Sequence, residues 1–435
     1  MFKRQYITAI TKRLIKYSSV SLMLLFIHPL LIFSAPSLNQ SSSANTGRSL
    51  TMQQTIQFVL KNPNFIAWVK AKLDAAKGRY IESTSWSNPE IGYSRENTEN
   101  NAKESNEEDY SISQTFDFSG KKGLQRKAAK LLLKASNHNT SYLRTRTIIS
   151  AQRLFYKALY QKRLINVIQQ SLKRLSGLEY ILRRREKAGD IAGYHRKRIS
   201  KEKYLVQARL STERAQYQKT LTNLAALVNY SEHSLSPVTD VRGELTLLGL
   251  SSLGKYLNLL PKRPDLVALK LQSQSEEFKS RAEKRGIIPP ITLGLGYKRV
   301  DESSQALSTG PTISASISIP LFGRRRGRLL KHNSNAIALK SRYSLQLTKE
   351  QGRIKGLWLL SRHQTNIARD FKTRALAEAR VLARIAKRSY LRGQFRIFEL
   401  VDAQRSALEV EIKYLDLLYK AKNTRLKLNA LVGTL

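Results

Sequence analysis

The chain repeats itself over half its length, which constrains its fold more than any other feature. Ala226-Leu227-Val228-Asn229 returns as Ala430-Leu431-Val432-Gly433, Gly189 as Gly393, Gly123 as Gly327, and Gly92-Tyr93 as Gly296-Tyr297. All four matches share one offset, since 430−226, 393−189, 327−123 and 296−92 each give 204. Pro63 against Pro264 and Pro89 against Pro290 give 201, so a three-residue indel lies just before the Gly-Tyr pair. Solenoid repeats recur every ~20–50 residues. A period this long is a duplicated half-protein, so each half builds the same substructure and the function belongs where the halves meet.

The prolines outline the elements. None of the 11 lies between Pro89 and Pro237, and none follows Pro320. Proline inside a helix costs roughly 3 kcal/mol, so both voids can hold very long helices, and both are rich in Ala, Leu, Lys, Arg and Gln. Phe371, Ala375, Ala379, Leu382 and Ala386 form an apolar stripe, as do Leu408, Ile412, Leu415 and Tyr419. Each void reads as a helical hairpin. The outward arms are Leu124–Lys187 and Arg328–Leu391, and the return arms Tyr194–Asn229 and Arg396–Val432. An outward arm would be roughly 95 Å long at ~1.5 Å per residue. Glycine sits at each turn, where a helix C-terminus favours a left-handed residue.

Before each void the texture changes to period two. Tyr110, Ile112, Phe116 and Phe118 alternate with Ser111, Ser113, Thr115 and Asp117. Ile291, Leu293, Leu295 and Tyr297 alternate with Thr292, Gly294, Gly296 and Lys298, and Ile313, Ala315, Ile317 and Ile319 with serines. These are strands with one apolar and one small, polar face. Duplication adds Glu90–Arg95 as a fourth, and polar loops over 96–109 and 301–310 join the pairs. Such hairpins suit membrane strands of ~9–11 residues, and equally an ordinary sheet with one buried face.

A basic N-terminus (Lys3, Arg4, Lys12, Arg13, Lys16), the hydrophobic run Val20 to Phe33 and Ser34-Ala35 have the layout of a secretory signal peptide. Cleavage falls near residue 35 or at the second small-residue site near 44, and a buried core helix is the other reading of this run. There is no cysteine. The formal charge is +44, and +39 without the five basic residues of the first 35 (44 − 5). So basic a chain prompts nucleic acid. Here, however, the cations spread along both hairpins, and no zinc-finger or RNA-binding signature accompanies them. An exported chain points instead to a solvated or lipid-phosphate-facing basic surface.

Ser389-Tyr390, Gly393, the run from Phe398 to Arg405 containing Asp402-Ala403-Gln404, and Leu428–Gly433 resemble the second repeat of the outer membrane efflux protein family. These are the TolC-like outer membrane factors of Gram-negative bacteria. Asn88-Pro89 through Gly189 to Leu224–Asn229 is similar to the first repeat. The resemblance implies a mainly α fold with membrane β: each chain gives four strands to a trimeric twelve-stranded barrel and two hairpins to a long periplasmic α-helical barrel. It divides the chain into a first repeat (49–234; β-hairpin 89–118, helical hairpin 124–229) and an equatorial linker (235–262). The second repeat (263–435) has a helix at 265–286, a β-hairpin at 290–320 and a helical hairpin at 328–432. Four strands cannot close a barrel, and lipid tolerates no open sheet edge, which agrees with a homotrimer.

The same resemblance implies outer-membrane location and a passive exit channel of a tripartite efflux pump or a type I-like secretion system, opened by adaptor contact at the helical tips. The partners would be outer-membrane lipid, a periplasmic adaptor and an inner-membrane pump, of the proton-driven resistance type by the Asp402-Ala403-Gln404-Arg405 wording. Glu399 and Asp402 match acidic gate positions. His195 stands where the repeat offset places the first-half equivalent of Glu399. Glu399 and Asp402 would in any case stabilise a helix N-terminus by ~0.3–1 kcal/mol. Gly189, Asp190, Gly193, Gly393, Gln394 and Phe395 are the adaptor-contact candidates. Lys121, Lys122, Arg324, Arg325 and Arg326 follow strands and are candidate interfacial anchors. No catalytic, cofactor or metal motif is present, and no nucleic-acid partner is expected. The alternative function is a basic coiled-coil protein that binds polyanions.

Overall fold

The computed structural model describes residues 48–100, 103–228, 238–247, 249–302, 306–319 and 325–433. The leader segment and Arg324 lie outside these. Two short helices, α1 (Met52–Lys61) and α2 (Pro63–Thr84), follow strand β1 (Arg48–Leu50). A hairpin of β2 (Glu90–Asn100) and β3 (Lys103–Phe116) leads into α3 (Lys121–Lys187), which returns as α4 (Gly193–Val228). The linker carries β4 (Val238–Val241), parallel to β1, and α5 (Leu253–Leu259). The second half repeats the plan with α6 (Pro264–Arg285), β5 (Ile291–Glu302), β6 (Ser308–Ile317), α7 (Arg325–Thr373), α8 (Ala375–Leu391) and α9 (Ile397–Val432). At 67 residues α3 is roughly 100 Å long.

Three features differ from the sequence expectation. Residues 301–310, expected as a polar loop, give both ends to the ladder, since β5 runs to Glu302 and β6 starts at Ser308. Residues 96–109, expected as a polar loop, are mostly ladder: β2 and β3 stay paired from Glu90↔Ser113 to Asn100↔Lys103. Polar side chains on both faces erase the period-two signal there. The second outward arm is not one helix but two, because Arg374 (φ −101°, ψ −75°) interrupts it. Thr373 Oγ1 turns back to the carbonyls of Arg369 (3.3 Å) and Asp370 (3.1 Å), a contact that bends helices. Backbone bonds Arg374 N to Asp370 O and Glu378 N to Arg374 O still bracket the joint.

Three apolar clusters hold the helices. One lies toward the hairpin turns, with Leu175, Leu178, Leu182, Ile199, Leu400 and Leu408 among its members. A second gathers Leu50, Phe155, Leu221, Leu224 and Val241 around β1 and β4. A third, with Tyr256, Leu260, Leu266, Ile354, Leu428 and Leu431, sits where α9 ends and α6 begins. There Arg263, 2% exposed, donates Nε and Nη2 to Asp265 (2.6 and 2.9 Å) and Nη1 to Leu431 O (2.9 Å). Leu431 O is among the last carbonyls of α9, which have no acceptor duty within the helix. Arg263 thereby splices α6 onto the end of α9.

Small residues let α6 run close between α3 and α7: Ser275 Oγ donates to Ala128 O and Ser273 Oγ to Ala336 O, both at 2.9 Å. Farther along, Glu276 Oε2 is 2.7 Å from His332 Nδ1 and Glu276 Oε1 2.6 Å from Lys279 Nζ. Burial alone would raise the Glu276 carboxyl, but hydrogen bonds from His332 and Lys279 outweigh it and hold it below 4.5. Burial opposes Glu283 likewise, and Arg328 and Lys121 bring it down. A depressed folded-state pKa stabilises above the ordinary value and ceases to do so as pH falls through the lowered one. Thermal stability should therefore hold steady down to about pH 4.5 and fall below it. Glu276→Gln should flatten that acid limb in pH-dependent melting; an unchanged limb would acquit this carboxylate.

Candidate functional site: an open sheet and two helical turns

The four strands form one antiparallel sheet in the order β2-β3-β5-β6, so among the described residues β2 and β6 each have an edge with no neighbouring strand. The register aligns side chains of like character. Ile91, Ile112, Leu295 and Ile313 form one cross-strand row, and Tyr93, Tyr110, Tyr297 and Pro311 the next. Phe116, Ile291 and Ile317 form a row on the other side of the isoleucines. Most of this face is open to solvent in the isolated chain: Ile91 is 86% exposed, Ile313 84% and Leu295 64%, while Phe116 and Ile291 are half-buried. A folded soluble domain does not leave such a patch uncovered. Beyond the tyrosines the same face turns charged with Arg95, Glu108 and Arg299, as an aromatic girdle bordering an apolar band requires.

The opposite face is small and polar. Gly92, Ser111, Gly296 and Thr312 align in one row, and Glu90, Ser113, Gly294 and Ser314 in the next. Nothing larger than glycine fits at 296, where a Cβ would lie 2.8 Å from Tyr110 O. Towards the hairpin ends this face carries Asp109, Glu107, Glu96 and Glu302, with Lys298 paired to Glu107 at 2.5 Å.

At the other end, the two long hairpins turn by the same device. Gly189 (φ +80°) and Gly393 (φ +79°) adopt the left-handed conformation that lets Asp190 N reach Arg185 O and Gln394 N reach Ser389 O, both at 2.9 Å. Asp190 lies 3.8 Å from Arg185, and Arg196 pairs with Glu186 beside Gly193. Phe395 is 40% exposed just past the second turn.

The acidic candidates are engaged locally. Glu399 accepts from Arg396 N–H in the first turn of α9, and Asp402 pairs with Arg405 at 3.0 Å. Both line a groove between α8 and α9 together with Leu382, Ile385 and Phe398. His195 does not join them; its Nδ1 lies 2.9 Å from Tyr390 Oη, and Tyr390 is buried. Arg198 adds a second link, stacked 5.0 Å over Phe398. The first hairpin is thus fastened to the second near the turns. The repeat offset singles out His195 and the family resemblance includes Tyr390, but nothing in the sequence pairs the two across 195 residues.

Among the anchor candidates, Lys121 is occupied by Glu283 (3.6 Å), and Lys122 donates to Ser87 Oγ (3.3 Å) beside the exposed Trp86. Arg325 and Arg326 open α7. Among the described residues no cluster of three or more His, Asp or Glu could hold a metal ion, and no helix is long and apolar enough to cross a membrane.

Residues 256–434 match the outer membrane efflux protein family. The chain is 26% identical over 191 residues to the cobalt-zinc-cadmium resistance protein CzcC of Cupriavidus metallidurans, a stretch covering 39% of this chain and 43% of that relative, less than half its length. In fold it is similar to a membrane protein from Pseudomonas aeruginosa (TM-score 0.75, 15% identity, 88% of this chain and 90% of that one). It is likewise similar to the outer membrane protein VceC from Vibrio cholerae (TM-score 0.73, 17% identity, 88% and 96%). With an open four-stranded sheet and two long helical hairpins the chain has the TolC-like fold, and its second repeat matches the outer membrane efflux protein family.

Proposed function

We propose that three copies of this chain form a passive exit duct, with a twelve-stranded barrel in the outer membrane and a helical tube reaching into the periplasm. The observation that carries this reading is the sheet, apolar and uncovered on one face, small and polar on the other, and open at both edges. In lipid those edges must be closed, and joining β6 of one copy to β2 of the next closes them. A basic polyanion-binding coiled coil has no use for such a sheet. Fractionation and cross-linking of the native protein tests the duct: a trimer extracted from outer membranes by detergent is expected, and a water-soluble monomer would overturn it.

The turns at Gly189 and Gly393 are the proposed contact with a periplasmic adaptor, and an inner-membrane pump supplies the energy. Resting closure at that end draws on the His195–Tyr390 bond and on Glu399 and Asp402. Tyr390→Phe keeps the ring and removes the hydroxyl, a bond worth about 0.5–1.5 kcal/mol. Its single-channel conductance in planar bilayers should rise severalfold, as should that of the Glu399→Ala/Asp402→Ala pair. Conductance equal to the parent would take the altered residues out of the gate.

The cargo reading is cationic. It draws on the name of the CzcC relative and on the acidic lumen face formed by Glu96, Glu107 and Asp109. Deletion of the gene should raise sensitivity to divalent metals more than to hydrophobic drugs, and the reverse order would reject it.

A further inference from the structure

The tube carries a cationic groove that the duct itself does not use. It runs between α3 and α8 over a floor of α9, with a volume of about 490 Å³. Arg174 stands on the α3 wall, and Arg380, Arg384 and Lys387 on the α8 wall. Ala383 and Ala407 keep the groove clear. Its one carboxylate, the buried Glu411, is already shared between Arg380 (3.0 Å) and Arg174 (3.6 Å). No carboxylate among the described residues pairs with Arg384 or Lys387 in an ion pair. The α8 cations fall at i, i+4 and i+7, a row roughly 10 Å long.

On α7, above the Arg374 joint, Arg362, Arg369 and Lys372 line a neighbouring groove. Its other wall is linker, Leu245 to Leu250. The side of the tube on which these grooves lie follows from α9. Glu411, Leu418, Lys422 and Arg425 recur at +7, +11 and +14, one helix face. Lys422 and Arg425 of that face donate to the linker carbonyls of Thr246 (3.3 Å) and Gly249 (2.7 Å). Linker and grooves therefore share a side. On the duct reading, on which this inference rests, a chain crossing the helices can lie only outside the tube, since inside it would plug the bore.

We propose that this outer cationic row binds the carboxylate-bearing glycan–peptide mesh of the cell wall through which a periplasm-spanning tube must pass. Guanidinium forks match carboxylates two bonds at a time, and a row of cations in which Arg384 and Lys387 have no ion-pair partner among the described residues suits a repeating polyanion. Binding of this kind weakens as salt shortens the Debye length from about 10 Å at 0.1 M to about 3 Å at 1 M.

The test uses the detergent-solubilised full-length protein and purified, protein-free sacculi. The parent should co-sediment with them at low salt and be released by 1 M salt. The Arg384→Glu/Lys387→Glu variant should lose at least tenfold in apparent affinity while its cross-linked trimer and its conductance stay at parent level. Sacculi whose carboxylates have been amidated should no longer retain the parent. Failure of the parent to sediment, retention by amidated sacculi, or full binding by the variant would each overturn the proposal. A good trimer with any of these outcomes leaves the duct standing, whereas a soluble monomer sinks the duct itself.

Discussion

Ile313→Arg should abolish assembly in the outer membrane, whereas Ser314→Arg, one residue on, should assemble. Ile313 belongs to the middle row of the exposed apolar face and Ser314 to the small polar face behind it. Arginine on the lipid side near mid-depth costs about 2–4 kcal/mol, and a trimer would carry three such residues. On the other side the guanidinium meets water and narrows the lumen instead. Outer-membrane fractions should then contain a trimer band for the parent and Ser314→Arg but not for Ile313→Arg, and Ser314→Arg should pass less current. Equal assembly of the two variants would mean that the isoleucine face never meets lipid.

The second large effect lies at the splice of α6 onto α9. Arg263→Ala removes the cation that Asp265 holds and that sits 3.7 Å from Glu350, and it strands Leu431 O. Breaking one side of a buried ion pair typically costs about 3–5 kcal/mol, because the remaining charge has no partner. Burial disfavours the Arg263 charge, yet the bonds it donates to Asp265 more than compensate, so the guanidinium is held more firmly protonated than usual. Trp358, whose Nε1 donates to Ser251 O at 2.9 Å, packs against the same cluster and gives a fluorescence reporter. Denaturant titration followed by that signal should show the loss. Arg263→Met with Asp265→Asn should recover part of it, because neither half of the pair then remains as a buried charge. A single-variant loss under 1 kcal/mol would show that the splice is held by the apolar cluster alone.

These two sites were unequally legible. Ile313, Ala315, Ile317 and Ile319 against serines announces a two-faced strand, because one face meets lipid or core and the other does not. What lies past Tyr93 and Tyr110 looks like loop in the sequence, since both faces of 96–109 are wet and no hydropathy contrast survives. The long helices follow from absent prolines and from glycines placed to end them. The break at Arg374 involves neither residue, only a threonine hydroxyl turned onto its own helix, and such threonines are common in uninterrupted helices. Arg263, next to Pro264, reads as one more cation among 76 Lys and Arg. Its importance comes from Leu431 and Glu350, which only the finished fold brings near. The same holds for Tyr390 against His195, and for the groove, whose cations come from segments about two hundred residues apart.

The joint at Arg374 has no counterpart in the first half, where α3 is assigned helix without interruption from Lys121 to Lys187. A ring of three copies would then alternate three stiff staves with three articulated ones. Any change of bore below that height would be triangular, with the jointed staves swinging and the stiff ones serving as the frame.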